Sequence, residues 1–90
     1  MRIYLDNAAT TPICAAARDE MIRIMDDVNG NPSSIHAEGR LARTVIEGAR
    51  KTIANALKAS VGEIFFTSCS TEAANMIFEA AVSQNHLDAL

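Results

Sequence analysis

The stretch EIFFTSCSTEAAN, residues 63–75, constrains the fold of this chain more than any other. Its β-branched and aromatic start predicts a strand over residues 63–67, and a helical pattern follows a run of small polar residues. So apolar a strand needs neighbours on both sides to satisfy its backbone, and a strand–loop–helix order is typical of a parallel α/β sheet. The only other candidate strand is residues 3–6. We therefore expect the chain to be part of a larger α/β fold.

Apolar residues recur with helical spacing in three segments, at about residues 13–28, 41–57 and 74–82. Thr11-Pro12 is a typical start for the first helix, and Ser33 or Ser34 can cap the second. As an isolated chain, the protein is therefore expected to be mainly α-helical, with three helices and one or two short strands.

Two glycines interrupt the second helical pattern, Gly39 and Gly48. A glycine inside a helix costs about 1 kcal/mol relative to alanine. We therefore interpret both as positions where another part of the chain packs closely.

Composition excludes several classes of function. A net charge of −3 without a basic cluster argues against nucleic-acid binding. The N-terminus lacks the apolar core of a signal peptide, and no apolar run approaches the roughly 20 residues of a membrane span. Two cysteines, Cys14 and Cys69, and two histidines show no metal-ligand spacing. We expect a cytoplasmic protein with reduced thiols, no metal and no membrane or nucleic-acid partner.

Hydroxyl side chains stand where the predicted strand ends and the third helix begins. Ligands of open α/β sheets bind at the carboxyl ends of strands, and a helix N-terminus attracts anions. Ser70 and Thr71 could add hydroxyl donors for a phosphate. However, Ser and Thr are also ordinary helix caps, and no glycine-rich loop or Walker lysine is present. The residues alone leave both interpretations open.

Three blocks of the chain resemble the class V, pyridoxal-phosphate-dependent aminotransferase family, in particular the cysteine desulfurases. They are YLDNAATTP at residues 4–12, GNPSSIHAEGR at residues 30–40, and EIFFTS at residues 63–68 followed by Thr71-Glu72 and Asn75. The blocks occur in the family's order and span nearly the whole chain. The resemblance implies a PLP-dependent transferase of fold type I. It makes residues 1–12 the arm of the small domain and residues 13–90 the start of the PLP-binding large domain.

The resemblance also implies an activity and partners for the parent enzyme. Cysteine desulfurases convert L-cysteine to L-alanine and hold the sulfur as a persulfide, in support of iron–sulfur cluster assembly. The family is homodimeric and delivers sulfur to acceptor proteins. The Schiff-base lysine and the catalytic cysteine are expected beyond residue 90, so no residue of this chain is predicted to be catalytic. Cys14 and Cys69 are both interpreted as non-catalytic on the same ground.

By resemblance, Ser70 and Thr71 hold the cofactor phosphate. Thr71 matches the family pattern, whereas Cys69 and Ser70 depart from it, because glycine followed by a small residue is commoner there. A side chain at position 69 could crowd the phosphate.

The resemblance places four further residues near the substrate pocket: Asn7, Ala8, Asn31 and His36. On the residues alone, a loop before a helix is the commoner role for Asn7 and Ala8, and a histidine near a helix start such as His36 is more often a surface or cap residue. The main alternative to an enzyme fragment is a non-catalytic helical domain that self-associates or binds a partner. A free-standing phosphate binder is a third possibility.

Overall fold

A computed structural model describes residues 1–85 and shows three α-helices. They are α1, Ala15–Asp27; α2, Ala37–Leu57; and α3, Ser70–Asn85. A short 3-10 helix, Val61–Glu63, lies between α2 and α3. The chain divides into two compact units, Met1–Ala49 and a second that begins at Arg50. The predicted mainly helical fold is confirmed; residues 86–90 of the predicted large-domain segment lie outside the described residues.

The segment predicted as a strand has no ladder partner within residues 1–85, and no strand forms there. Its backbone nevertheless begins in the extended region, since Ile64 has φ −103° and ψ 122°. A strand exists only through hydrogen bonds to a neighbouring strand. The β-branched and aromatic residues therefore give no strand on their own, and residues 3–6 form no strand either.

The segment before α1 forms a turn that delays the helix. The Asp6 carbonyl accepts hydrogen bonds from the N–H groups of Ala9 (3.1 Å) and Thr10 (3.4 Å). The Tyr4 hydroxyl donates to the carbonyls of Asp6 and Thr10, at 2.9 and 3.2 Å. The predicted start at Thr11-Pro12 is therefore wrong. The hydrogen-bonded turn reaches Thr10, Cys14 is still extended, and α1 begins at Ala15.

Residues 30–40 form a tight turn leading into α2, here called the glycine knuckle. A Cβ added to Gly39 would lie 2.4 Å from the Ser34 carbonyl oxygen and 2.6 Å from that of Asn31. A Cβ added to Gly30 would lie 2.1 Å from the Glu38 carbonyl oxygen. Gly39 is buried. The prediction of close packing is thus correct for Gly39, because backbone meets backbone there.

Two other expectations for α2 are wrong. A Cβ added to Gly48 would meet no atom of the described structure within 4 Å, so no close approach explains that glycine. The helix is capped by His36 rather than by Ser33 or Ser34, because the turn in which Asn31 accepts from the N–H groups of both serines comes first and α2 begins only at Ala37. The His36 Nδ1 atom accepts a hydrogen bond from the Gly39 N–H at 3.2 Å.

The C-terminus of α2 is a Schellman motif built without glycine. The Ala59 N–H donates to the Ala54 carbonyl at 2.9 Å, and the Lys58 N–H donates to the Asn55 carbonyl at 3.3 Å. This is the paired hydrogen-bond pattern of such an ending. Lys58 has the positive φ, 56°, that glycine usually supplies.

Very few apolar side chains are buried within the described part of the chain. Ala42 and Ala54 are buried, both on α2, whereas Phe65, Ile77 and Met25 are each more than half exposed.

Between residues 1 and 85, no helix combines the length and the apolar character that crossing a bilayer requires.

Candidate functional site

The hydroxyl-rich loop, residues 67–72, joins the extended segment to α3. Thr67 Oγ1 donates to the Cys69 carbonyl at 3.0 Å. The same carbonyl accepts the first hydrogen bond of the helix, from the Ala73 N–H at 3.1 Å. Cys69 is therefore the N-cap of α3, and Ser70 and Thr71 occupy its first turn with exposed side chains.

The loop is fixed from the α2 side by an arginine that the sequence did not single out. Arg50 Nη1 donates to the Ile64 carbonyl, and its guanidinium carbon lies 4.9 Å from the centre of the Phe66 ring. A guanidinium over an aromatic face is an attractive cation–π contact. Arg50 thus holds the extended segment that leads into the loop.

Glu72 closes the loop from the first turn of α3. Its Oε2 atom accepts hydrogen bonds from the Ser68 N–H, at 3.0 Å, and from the Ser68 hydroxyl. These two hydrogen bonds lower the pKa of the Glu72 carboxyl below its ordinary value. The arrangement resembles a capping box shifted by one residue, and a carboxylate at this position also suits the helix dipole.

The Cys69 thiol is exposed and stands at the N-terminus of α3. Backbone hydrogen bonds from Glu72 lower the pKa of Cys69 most, followed by the Ser68 hydroxyl and then the Thr71 N–H. The Ser68 Oγ and Cys69 Sγ atoms are 3.8 Å apart. Cys69 thus holds the N-cap position with a sulfur in place of the usual side-chain oxygen, and the groups that lower its pKa favour the thiolate.

The donors of this loop fit the phosphate of PLP. The N–H groups of Thr71 and Glu72 lie in the first turn of α3, where a helix supplies no acceptor of its own, so they can donate to an anion. The exposed hydroxyls of Ser70 and Thr71 stand in the same turn. The N–H groups of Glu72 and Thr71 also lower the pKa of the Cys69 thiol, so a bound phosphate and a Cys69 thiolate would compete for the same donors.

The predicted pocket residues lie in the first unit. Asn7 and Ala8 belong to the exposed turn before α1. Asn31 and His36 are both in the glycine knuckle, where the Asn31 side chain accepts from the Ser33 N–H at 2.9 Å and His36 caps α2. The structure thus gives Asn31 and His36 local structural roles, and no observation tests a substrate role for any of the four.

The sequence could have revealed some of these contacts. A glutamate at the third position of a helix is the acidic half of a capping box, so Glu72 could have been singled out, whereas no local pattern links Arg50 to Phe66. Among the residues that the structure describes, no three His, Cys, Asp or Glu side chains gather as metal ligands.

Comparison with known proteins identifies the family. The family model "Aminotransferase class-V" matches residues 3–89. Cysteine desulfurase IscS of Dictyoglomus turgidum is 50% identical over 74 residues, which cover 82% of this chain and 19% of that protein. Cysteine desulfurase IscS of Methanosarcina thermophila is 40% identical over 92% of this chain and 20% of its own length. The IscS-like cysteine desulfurase of Mycobacterium tuberculosis is 47% identical over 81% of this chain and 18% of its own length.

The chain spans about a fifth of the length of the curated relatives it matches. No solved structure matches it significantly. The family model covers nearly every residue, including all three sequence blocks and the loop at the start of α3. The chain therefore belongs to the aminotransferase class-V family.

Proposed function

We propose that this chain provides the N-terminal part of a PLP-dependent cysteine desulfurase and contributes to the binding of the cofactor phosphate. Residues 1–12 would form the arm of the small domain, and residues 13–90 the start of the PLP-binding large domain. The observation that carries the proposal is that Ser70 and Thr71, both exposed, form the first turn of α3 within the residues that the family model matches. When bound, PLP supplies an electron sink for chemistry on amino acids.

The roles of individual residues follow from their positions. The Thr71 N–H and hydroxyl and the Ser70 hydroxyl would donate to phosphate oxygens. The dipole of α3 would favour the phosphate charge. The arm residues Asn7 and Ala8, and Asn31 and His36 of the glycine knuckle, would border the substrate. The parent enzyme would act on L-cysteine as a homodimer and pass sulfur to acceptor proteins.

The phosphate site can be tested on the 90-residue chain by nuclear magnetic resonance. PLP and inorganic phosphate should shift the amide signals of Ser70, Thr71 and Glu72, whereas pyridoxal, which lacks the phosphate, should not. The amides of Ala15 and Ala16 provide an internal control, because they begin a helix whose N-cap makes no side-chain hydrogen bond. Unmoved signals at the start of α3 would refute the site.

Substitution of Thr71 by Val keeps the shape of the side chain and removes its hydroxyl. Because a hydrogen bond to a charged group is worth about 1.5 kcal/mol, the variant should bind phosphate about tenfold more weakly. Thr44→Val is the matched control, since the Thr44 hydroxyl donates to the Arg40 carbonyl within α2. Equal affinities of the two variants would remove the hydroxyl from the phosphate site.

The isolated chain should release neither sulfide nor alanine from cysteine and PLP, because the proposal assigns it no Schiff-base lysine and no catalytic cysteine. Activity of the purified chain would contradict this division of roles.

A second candidate function is self-association as a non-catalytic helical domain. The observation that favours it is the apolar side of α1, where Met21, Ile22 and Met25 are 51%, 48% and 68% exposed. Sedimentation equilibrium should then show dimers or larger species. A monomer at all concentrations would count against this candidate without affecting the phosphate site.

A further inference from the structure

The His36 imidazole lies within reach of two groups that require opposite protonation states. Its Nδ1 atom is 3.2 Å from the Gly39 nitrogen, whose N–H donates to it. The same Nδ1 atom is 3.3 Å from Glu38 Oε2. A ring nitrogen accepts a hydrogen bond only without its proton, and it donates only with it. One atom therefore serves the Gly39 N–H or the Glu38 carboxylate, but not both.

We propose that His36 is a pH-sensitive cap of α2. Neutral His36 accepts from the Gly39 N–H and caps the first turn. Protonated His36 releases this N–H and pairs through Nδ1–H with Glu38. The inference rests on the geometry of the glycine knuckle alone and does not require the proposed phosphate site.

The packing of the knuckle leaves the Gly39 backbone little room to move when its N–H is released. N–H groups in the first turn of a helix lack acceptors within that helix. Gly39 is buried, and the carbonyls of Ser34 and Asn31 are so close that not even a methyl group would fit beside it. Gly30 is packed just as closely, because a Cβ placed on it would lie 2.1 Å from the Glu38 carbonyl oxygen. The backbone of this turn therefore has little freedom to rearrange.

The charges around His36 set a balance between the two states. Glu38 favours the imidazolium, whereas the N-terminal end of the α2 dipole disfavours a positive charge. Arg40 adds a second positive group nearby, with its Nη1 atom donating to the Ile35 carbonyl. Residues 30–35, which form the first part of the glycine knuckle, contain no titratable side chain. Protonation of one side chain thus decides between the cap and the ion pair.

The experiment is a pH titration of the intact 90-residue chain from about pH 5 to pH 8, the range around the ordinary imidazole value of about 6.5. The Gly39 amide signal should move together with the His36 ring signals. Its protection from hydrogen exchange, corrected for the intrinsic rate, should fall about five- to tenfold on the acidic side, as expected for one lost hydrogen bond.

Two variants make the result specific. His36→Asn keeps a capping oxygen but cannot titrate, so the Gly39 amide should become independent of pH. This variant also separates His36 from the chain's second histidine. Glu38→Gln removes the ion-pair partner of the protonated ring, so the protection of the Gly39 amide at pH 8 should stay as in the unaltered chain, because Glu38 takes no part in the neutral cap. A Gly39 amide that does not follow His36, or that keeps the same pH dependence in His36→Asn, would overturn the proposal.

Discussion

Replacing Gly39 with alanine should destabilise the chain, although alanine is the better helix former. The new Cβ would lie 2.4 and 2.6 Å from two backbone oxygens, those of Ser34 and Asn31, and neither can rotate away as a side chain could. Overpacking typically costs about 1–3 kcal/mol, and a backbone clash belongs at the upper end. Since helix propensity returns about 1 kcal/mol, a net loss of about 2 kcal/mol is expected.

The same helix contains a matched control in Gly48. A Cβ there meets no described atom within 4 Å, so Gly48→Ala should increase the free energy of unfolding by about 1 kcal/mol. The two alanine variants should therefore differ by about 3 kcal/mol in urea unfolding followed by circular dichroism at 222 nm. If Gly39→Ala were as stable as Gly48→Ala, the close approach within the glycine knuckle would not exist in solution.

Two further substitutions test the loop before α3. Arg50→Lys keeps the charge but loses the planar group over Phe66, so it should cost about 1–2 kcal/mol. Arg43→Lys, an exposed change on the same helix, should cost much less, and equal losses would refute the anchoring role. Glu72→Gln should reduce the helix content of α3 at neutral pH. Because hydrogen bonds from Ser68 lower the pKa of Glu72, its stabilisation is complete above the ordinary carboxyl value of about 4.3 and is lost as the pH falls through the folded value. The variant and the unaltered chain should therefore converge in acid; a constant difference across the pH range would contradict this reasoning.

The sequence predicts the three helices well because each carries an apolar stripe at helical spacing. The ends of those helices depend on contacts that no local pattern encodes. The turn around Asp6 delays α1. Ser33 and Ser34 lie in a turn in which Asn31 accepts from their N–H groups, so neither caps α2. Lys58 ends α2 with the positive φ that glycine usually supplies. The predicted strand fails for a different reason: its formation depends on a neighbour in the sheet, not on its own residues.

The candidate site shows the same division. The sequence places Ser70 and Thr71 at the start of a helix and raises the side chain of Cys69 as an obstacle, and the structure places Cys69 at the N-cap of that helix. The anchoring contact of Arg50 with Phe66 joins residues far apart in the sequence, so only a three-dimensional structure reveals it.

Cys14 and Cys69 are both free and exposed, so each chain can form disulfide bonds to two other chains. A protein with one accessible thiol stops at a covalent dimer when its reductant is exhausted. A protein with two can be linked at both positions, so its oxidation proceeds to linear multimers. Storage without reductant would therefore produce a ladder of species on a non-reducing gel, and replacing either cysteine with serine would shorten that ladder to a single dimer band.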